Sequence, residues 1–121
     1  MKALVVDDSK TMCEMVSLTL KEKGFDTVVA YDGEQAVEAV GKDKFDLVVT
    51  DINMPNMDGI ELIRYLRNEG GCKDIPILVL TTEAGENAKQ KGREAGASGW
   101  ITKPFKPIVL NAAVSKVCKL A

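Results

Sequence analysis

Short apolar runs and stripes of helical period take turns along this chain. Strand-like runs fall near residues 3–7, 27–30, 46–50, 76–81 and 99–102. Leu47-Val48-Val49 and Ile77-Leu78-Val79-Leu80 carry no polar residue at alternate positions, so both faces of these strands must be covered, as in a parallel sheet. The run near Thr27 is weaker and is placed at an edge. Between the strands, Met12, Val16 and Leu20 recur at helical spacing, as do Ala36, Val37 and Val40, then Leu62, Ile63 and Leu66, then Leu110, Ala113, Val114 and Val117. Each helix thus has one stripe to lay on the sheet. Punctuation agrees: Gly24 follows the first helix, Asp32 with Gln35 resembles a capping box for the second, and Pro107 suits the first turn of the last.

The segment 86–95 differs. It offers mainly Ala88 and Ala95 for burial, with Gly92 in mid-helix, where glycine costs about 1 kcal/mol relative to alanine. This helix is expected to be the most loosely held, and such elements are the ones that move when a site changes state. Five βα units with no linker, repeat or low-complexity stretch predict one doubly wound α/β domain over residues 1–121.

A domain of 121 residues buries roughly two thirds of the surface its unfolded chain exposes, so no disulfide or structural metal is needed to hold it. Lys and Arg total 16 against 18 Asp and Glu, a net charge of −2, which gives no field to attract nucleic acid or an anionic membrane. Cys13, Cys72 and Cys118 are odd in number and widely spaced, and the chain has no His, so neither a disulfide framework nor a zinc site has its usual parts. The first apolar stretch is too short for a signal peptide and no run approaches transmembrane length. The expected setting is the cytoplasm, without membrane insertion.

Chemistry gathers where the strands end. Asp7 and Asp8 follow Leu4-Val5-Val6, Asp51 follows Leu47-Val48-Val49 and Thr50, Thr81 closes the run at 77–81, and Lys103 follows Trp100-Ile101-Thr102. If the strands are parallel, all of these groups lie outside the carboxyl ends, where open α/β folds place their ligands. Carboxylates held together repel by about 4 kcal/mol for a pair at 4 Å and an effective dielectric of 20. A hard divalent cation such as Mg²⁺ offsets that while leaving them ionised. The plainer alternative, a helix cap, suits one of Asp7 and Asp8 and not both. Asp51 is the candidate nucleophile, since a carboxylate can take a phosphoryl group.

Five segments in order resemble one family: Val6-Asp7-Asp8-Ser9, Thr50-Asp51-Ile52-Asn53-Met54-Pro55 with Asp58-Gly59, Leu80-Thr81-Thr82-Glu83, Ala95-Gly96-Ala97 and Lys103-Pro104-Phe105. Over essentially its whole length the chain resembles the receiver domains of two-component response regulators, most closely their single-domain chemotaxis members. The resemblance implies a flavodoxin-like sheet of order 2-1-3-4-5 with helices on both faces. It further implies Asp51 as phosphoacceptor, Mg²⁺ on Asp8, Asp51 and the Asn53 backbone carbonyl with Asp7 acting through water, and a cis Lys103-Pro104 bond. Thr81 and Lys103 take switch and phosphate-sensing roles. Trp100 stands where the family often has Tyr or Phe that turns inward on activation; a large residue merely covering the sheet edge would look the same in sequence. The resemblance also implies that Asn53 and Glu83 flank the path of the water that removes the phosphoryl group.

Such a protein is a switch and not an enzyme in the ordinary sense, catalysing only its own phosphorylation and dephosphorylation. Lacking His, it must take phosphate from a separate histidine kinase, CheA-like in the chemotaxis branch, or from a phosphotransfer protein or small phosphodonor. The surface bearing Trp100, with Lys89, Lys91, Lys103 and Lys106, is the expected output face, although solvated lysines need no function. With nothing after Ala121 to carry output, the chain is expected to act as a monomer through protein contact, on a flagellar motor switch protein or another effector. Alternatives are a phosphorelay intermediate or phosphate sink, an Asp-nucleophile phosphatase of the haloacid dehalogenase type, and a flavin-binding module. The phosphatase would want a second Asp where Asn53 stands, and Asp7-Asp8 would repel a flavin phosphate.

Overall fold

The computed structural model describes residues 1–119. Strands and helices alternate: β1 (Lys2–Val6), α1 (Lys10–Glu22), β2 (Asp26–Ala30), α2 (Gly33–Lys42), β3 (Leu47–Thr50), α3 (Gly59–Asn68), β4 (Ile77–Thr81), α4 (Glu86–Ala95), β5 (Gly99–Thr102) and α5 (Pro107–Val117). The five strands are all parallel, in the order β2-β1-β3-β4-β5. This is the flavodoxin-like arrangement expected from the sequence, with the weak run near Thr27 at an edge.

Burial on both faces explains the unbroken apolar runs. Leu4, Val6, Val48 and Val79 point to one side of the sheet and pack with Leu62, Ile63, Leu66, Ala36 and Ala95 from α2, α3 and α4. Their neighbours Ala3, Val5, Val49, Leu78 and Leu80 point to the other and pack with Val16, Leu20, Leu110 and Val114 from α1 and α5. A strand residue of either parity therefore meets a helix, and no position is left for polar alternation.

The starts of α1, α2 and α3 are set by side-chain caps. The first is set by Ser9, whose hydroxyl accepts from the Met12 N–H at 3.2 Å, so neither Asp7 nor Asp8 is spent as the cap. Asp32 accepts from the Gln35 N–H at 2.8 Å, and the Gln35 side chain reaches back to the Tyr31 N–H at 2.8 Å. That reciprocal bond lies one residue earlier than in a standard capping box. Asp58 caps α3 through the Glu61 N–H at 2.9 Å. Gly24 takes φ +98° just past α1, a left-handed conformation for which glycine is suited.

The layer of α3 and α4 is joined by Arg67. Its guanidinium donates to the carbonyls of Ile75 (2.6 Å), Cys72 (2.8 Å), Lys73 (3.1 Å) and Gly96 (2.8 Å from one terminal nitrogen, 3.1 Å from Nε). Burial pulls its pKa below the usual value, as expected for a cation facing carbonyls in place of water. The guanidinium's five donors, spread over a planar fork, reach this set of acceptors where a single ammonium nitrogen could reach only part of it. Arg67→Lys is expected to lower stability by about 2 kcal/mol, since several part-buried carbonyls lose their donor. A urea transition with an unshifted midpoint would show the network to be dispensable.

Candidate functional site

The parallel sheet brings the ends of β1, β3, β4 and β5 to one edge. Registers Val6↔Thr50, Thr50↔Val79 and Thr81↔Thr102 align these ends, so the residues that follow them converge. Asp7 and Asp51 are 3% and 7% exposed, whereas Asp8 is exposed. Ligand oxygens of Asp7, Asp8 and Asp51 lie within 4.8 Å of one another.

Lys103 is drawn into this cluster. Its ammonium donates to Asp7 Oδ2 at 2.6 Å and to Asp51 Oδ2 at 2.9 Å. The Lys103 N–H donates to the Thr81 carbonyl at 2.7 Å, and the Lys103-Pro104 peptide is cis. The expected cis bond is therefore present. The placing of Lys103 on the output face is corrected: two buried carboxylates attract it more strongly than solvent does.

Backbone groups fix the carboxylates. Asp51 Oδ1 accepts from the N–H of Ile52 at 2.6 Å and of Asn53 at 3.3 Å, which leaves Oδ2 with Lys103 as its partner. Asp7 Oδ1 accepts from the Ser9 N–H at 3.0 Å. The main chain of Asp51 is clamped from beneath by Gly59, where a Cβ would run into the Asp51 carbonyl and stand 2.7 Å from the Ile52 Cα. Gly59 N–H donates to the Ile52 carbonyl at 2.9 Å. The sequence motif contains Ser9 and Gly59 but assigns them nothing; only contact across the loop reveals their use.

Burial pushes the Asp7 carboxyl above its usual value, and the bonds from Lys103 and Ser9 only partly oppose it. For Lys103, burial acts downward, yet the hydrogen bonds and charges of Asp7 and Asp51 outweigh it and hold the ammonium above its usual value. The two directions are consistent: desolvation disfavours the ionised form of Asp7, while the two carboxylates beside Lys103 favour its charged form. Burial, aided by the Asp7 charge, also pushes the nearby Cys13 thiol up to about 11, which leaves it a protonated, poorly nucleophilic group.

Three ionised carboxylates with one ammonium leave an excess of negative charge, and the donors are hard oxygens, as Mg²⁺ requires. The residues present therefore fit such a cation. Asp8, exposed and without a cationic partner among the described residues, is the carboxylate most open to it.

Thr81 is fully buried, and its hydroxyl accepts from the Glu83 N–H at 3.3 Å. Asn53 and Glu83 are exposed and both border a cleft of about 730 Å³ between α3 and α4. Trp100 is half-buried, with its indole N–H donating to the Glu83 carbonyl at 3.0 Å. In α4, Ala95 is buried as expected, but Ala88 is only half-buried and Gly92 takes the inner position.

A family model described as the response regulator receiver domain matches residues 3–115. The chain belongs to the response regulator receiver family. This receiver domain superimposes on the chemotaxis protein CheY4 of Vibrio cholerae with a TM-score of 0.91, at 41% identity over 96% of this chain and 97% of that one. It is 38% identical to the alkaline phosphatase synthesis transcriptional regulatory protein PhoP of Bacillus subtilis, over 98% of this chain and 48% of the relative. With the DNA-binding response regulator MtrA of Mycolicibacterium paratuberculosis it shares 42% identity, over 93% of this chain and 49% of the relative. The receiver thus spans about half the length of the curated relatives it matches. Among the described residues no helix is long and apolar enough to cross a membrane.

Proposed function

We propose that this receiver is a cytoplasmic phosphorylation switch in which Asp51 accepts a phosphoryl group from the phosphohistidine of a histidine kinase or phosphotransfer protein. The observation that carries this reading is the Asp51 side chain itself: buried, with Oδ1 anchored by two backbone N–H groups and Oδ2 beside Lys103. Oδ2 attacks phosphorus, the P–N bond to the donor imidazole breaks, and the imidazole leaves with the bonding pair. Asp8, Asp51 and the Asn53 carbonyl would hold Mg²⁺, with Asp7 contributing through water. When bound, the cation supplies positive charge that offsets carboxylate repulsion and the charge on the transferring oxygens.

Lys103 then pairs with a phosphate oxygen, and the Thr81 hydroxyl turns from Glu83 to donate to another. The added charge and acceptor oxygens make these bonds stronger than those they replace. Since Glu83 also anchors Trp100, loss of the Thr81–Glu83 bond alters the surface of α4, β5 and α5, to which Lys89, Lys91 and Lys106 contribute charge. Asn53 and Glu83 border the route of the water that hydrolyses the acyl phosphate. A shift from 1:99 to 99:1 between the two forms needs about 5.5 kcal/mol of differential stabilisation.

For the output, the likeness to CheY4 over nearly the whole of both chains favours chemotaxis, with a CheA-like kinase and a flagellar motor switch protein as partners of a monomeric receiver. PhoP and MtrA favour a second reading, a receiver whose output is transcriptional. A phosphorelay intermediate or phosphate sink would use the same chemistry. Adding beryllofluoride, an acyl-phosphate mimic, with Mg²⁺ is expected to change the emission of the lone Trp100, and a chelator added beforehand is expected to prevent it. An unchanged spectrum under saturating mimic counts against the coupling of Asp51 to Trp100. Capture of binding proteins with and without the mimic distinguishes a motor component from a transcriptional partner.

A further inference from the structure

Trp100 lays the six-membered ring of its indole against the backbone of Gly92. A Cβ at Gly92 would stand 2.6 Å from Trp100 Cζ3 and 3.1 Å from Cε3. Gly92 is buried inside α4, an interior helical position that propensity alone would give to alanine. The indole N–H donates to the Glu83 carbonyl, and the Glu83 N–H donates to the Thr81 hydroxyl. One side chain therefore spans the middle of α4 and the turn that leads into it, and that turn is bonded to the end of β4, the strand beside the one that runs into Asp51.

We propose that Gly92 and Trp100 form an interlocking pair that seats the indole before any phosphorylation, making Trp100 a positioning residue for Glu83 and, through it, for Thr81. The missing Cβ is the socket and the indole is the plug. An indole already seated has no inward swing left to make, so its response to a phosphoryl group is a change in this packing. That last consequence rests on the reading of Asp51 above; the interlock does not.

The test uses the unphosphorylated chain, with acrylamide quenching of Trp100 and hydrogen exchange at the Glu83 amide as readouts. In Gly92→Ala the indole is expected to be expelled, with red-shifted emission and stronger quenching. Exchange at Glu83 is expected to quicken about tenfold, the equivalent of about 1.4 kcal/mol of overpacking. Helix propensity alone gives the opposite sign, since alanine stiffens a helix. The double change Gly92→Ala with Trp100→Tyr, a smaller ring that keeps a polar donor, is expected to return exchange toward wild type. Trp100→Phe, which keeps a ring and loses the N–H, is expected to speed the same amide with Gly92 intact. Unchanged emission in Gly92→Ala, slower exchange in that variant, or no recovery in the double variant would each overturn the interlock. Phosphoryl labelling of the wild type, run alongside, reports separately on Asp51.

Discussion

Asp51→Asn is expected to take up no phosphoryl group from a phosphodonor that labels the wild type once, and to lose the Mg²⁺-dependent response of Trp100 to that donor. An amide oxygen is a far weaker nucleophile than a carboxylate, and the variant has no ionised oxygen at this position. The fold should tolerate the change, because the amide oxygen can still accept from the N–H groups of Ile52 and Asn53. Lys103 keeps Asp7 at 2.6 Å. Loss of labelling in a protein with an unaltered melting transition is therefore a loss of chemistry. Intact-mass measurement after incubation with the donor reads it directly. Labelling that persists in the variant would move the acceptor to Asp7 or Asp8, whose oxygens lie within the same 4.8 Å cluster.

Asp7→Asn is expected to make the cation-free protein more stable at neutral pH. Burial holds the folded-state Asp7 carboxyl above 3.8, so the folded chain binds this proton more tightly than the unfolded chain does. The stability that Asp7 contributes is fully present below its unfolded value and is lost as pH rises through its folded value. At pH 7 the ionised group opposes folding. Replacing it is expected to raise stability at neutral pH and to flatten the decline in stability above the ordinary carboxylate range. Lys103 is not stranded by the change, since Asp51 remains 2.9 Å away. That is why the usual penalty for breaking a buried pair is not expected in full. The gain should shrink when Mg²⁺ is added, because the wild type then recovers the charge balance that the variant obtains by substitution. Thermal melts across pH, with and without Mg²⁺, measure both effects; a variant that melts lower than wild type at pH 7 without cation would show that the Asp7–Lys103 pair outweighs the burial of the carboxylate.

The places where the chain was easily read, and those where it was not, share a physical cause. Unbroken runs such as Leu47-Val48-Val49 announce strands covered on both faces, and the residues following them announce the site, since parallel strands end together. Lys103 was legible as a member of the site, while its withdrawal from the output face was not, because that depends on two carboxylates far away in the chain. Gly92 reads locally as a flaw in a helix. Its use appears only when β5 brings Trp100 alongside. Ser9 is a recognisable cap, while its N–H bond to Asp7 Oδ1 is a matter of loop geometry.

What the sequence determined by itself is the order of elements, the parallel sheet and the set of residues gathered at its carboxyl edge, because these depend on hydrophobic period and on chain direction. Only the tertiary structure decided which carboxylate oxygen is anchored and which is left open, where the Lys103 charge goes, and what the missing side chain at Gly92 admits. Those features are set by distances of a few ångströms between residues remote in the chain, and local pattern carries no record of such distances.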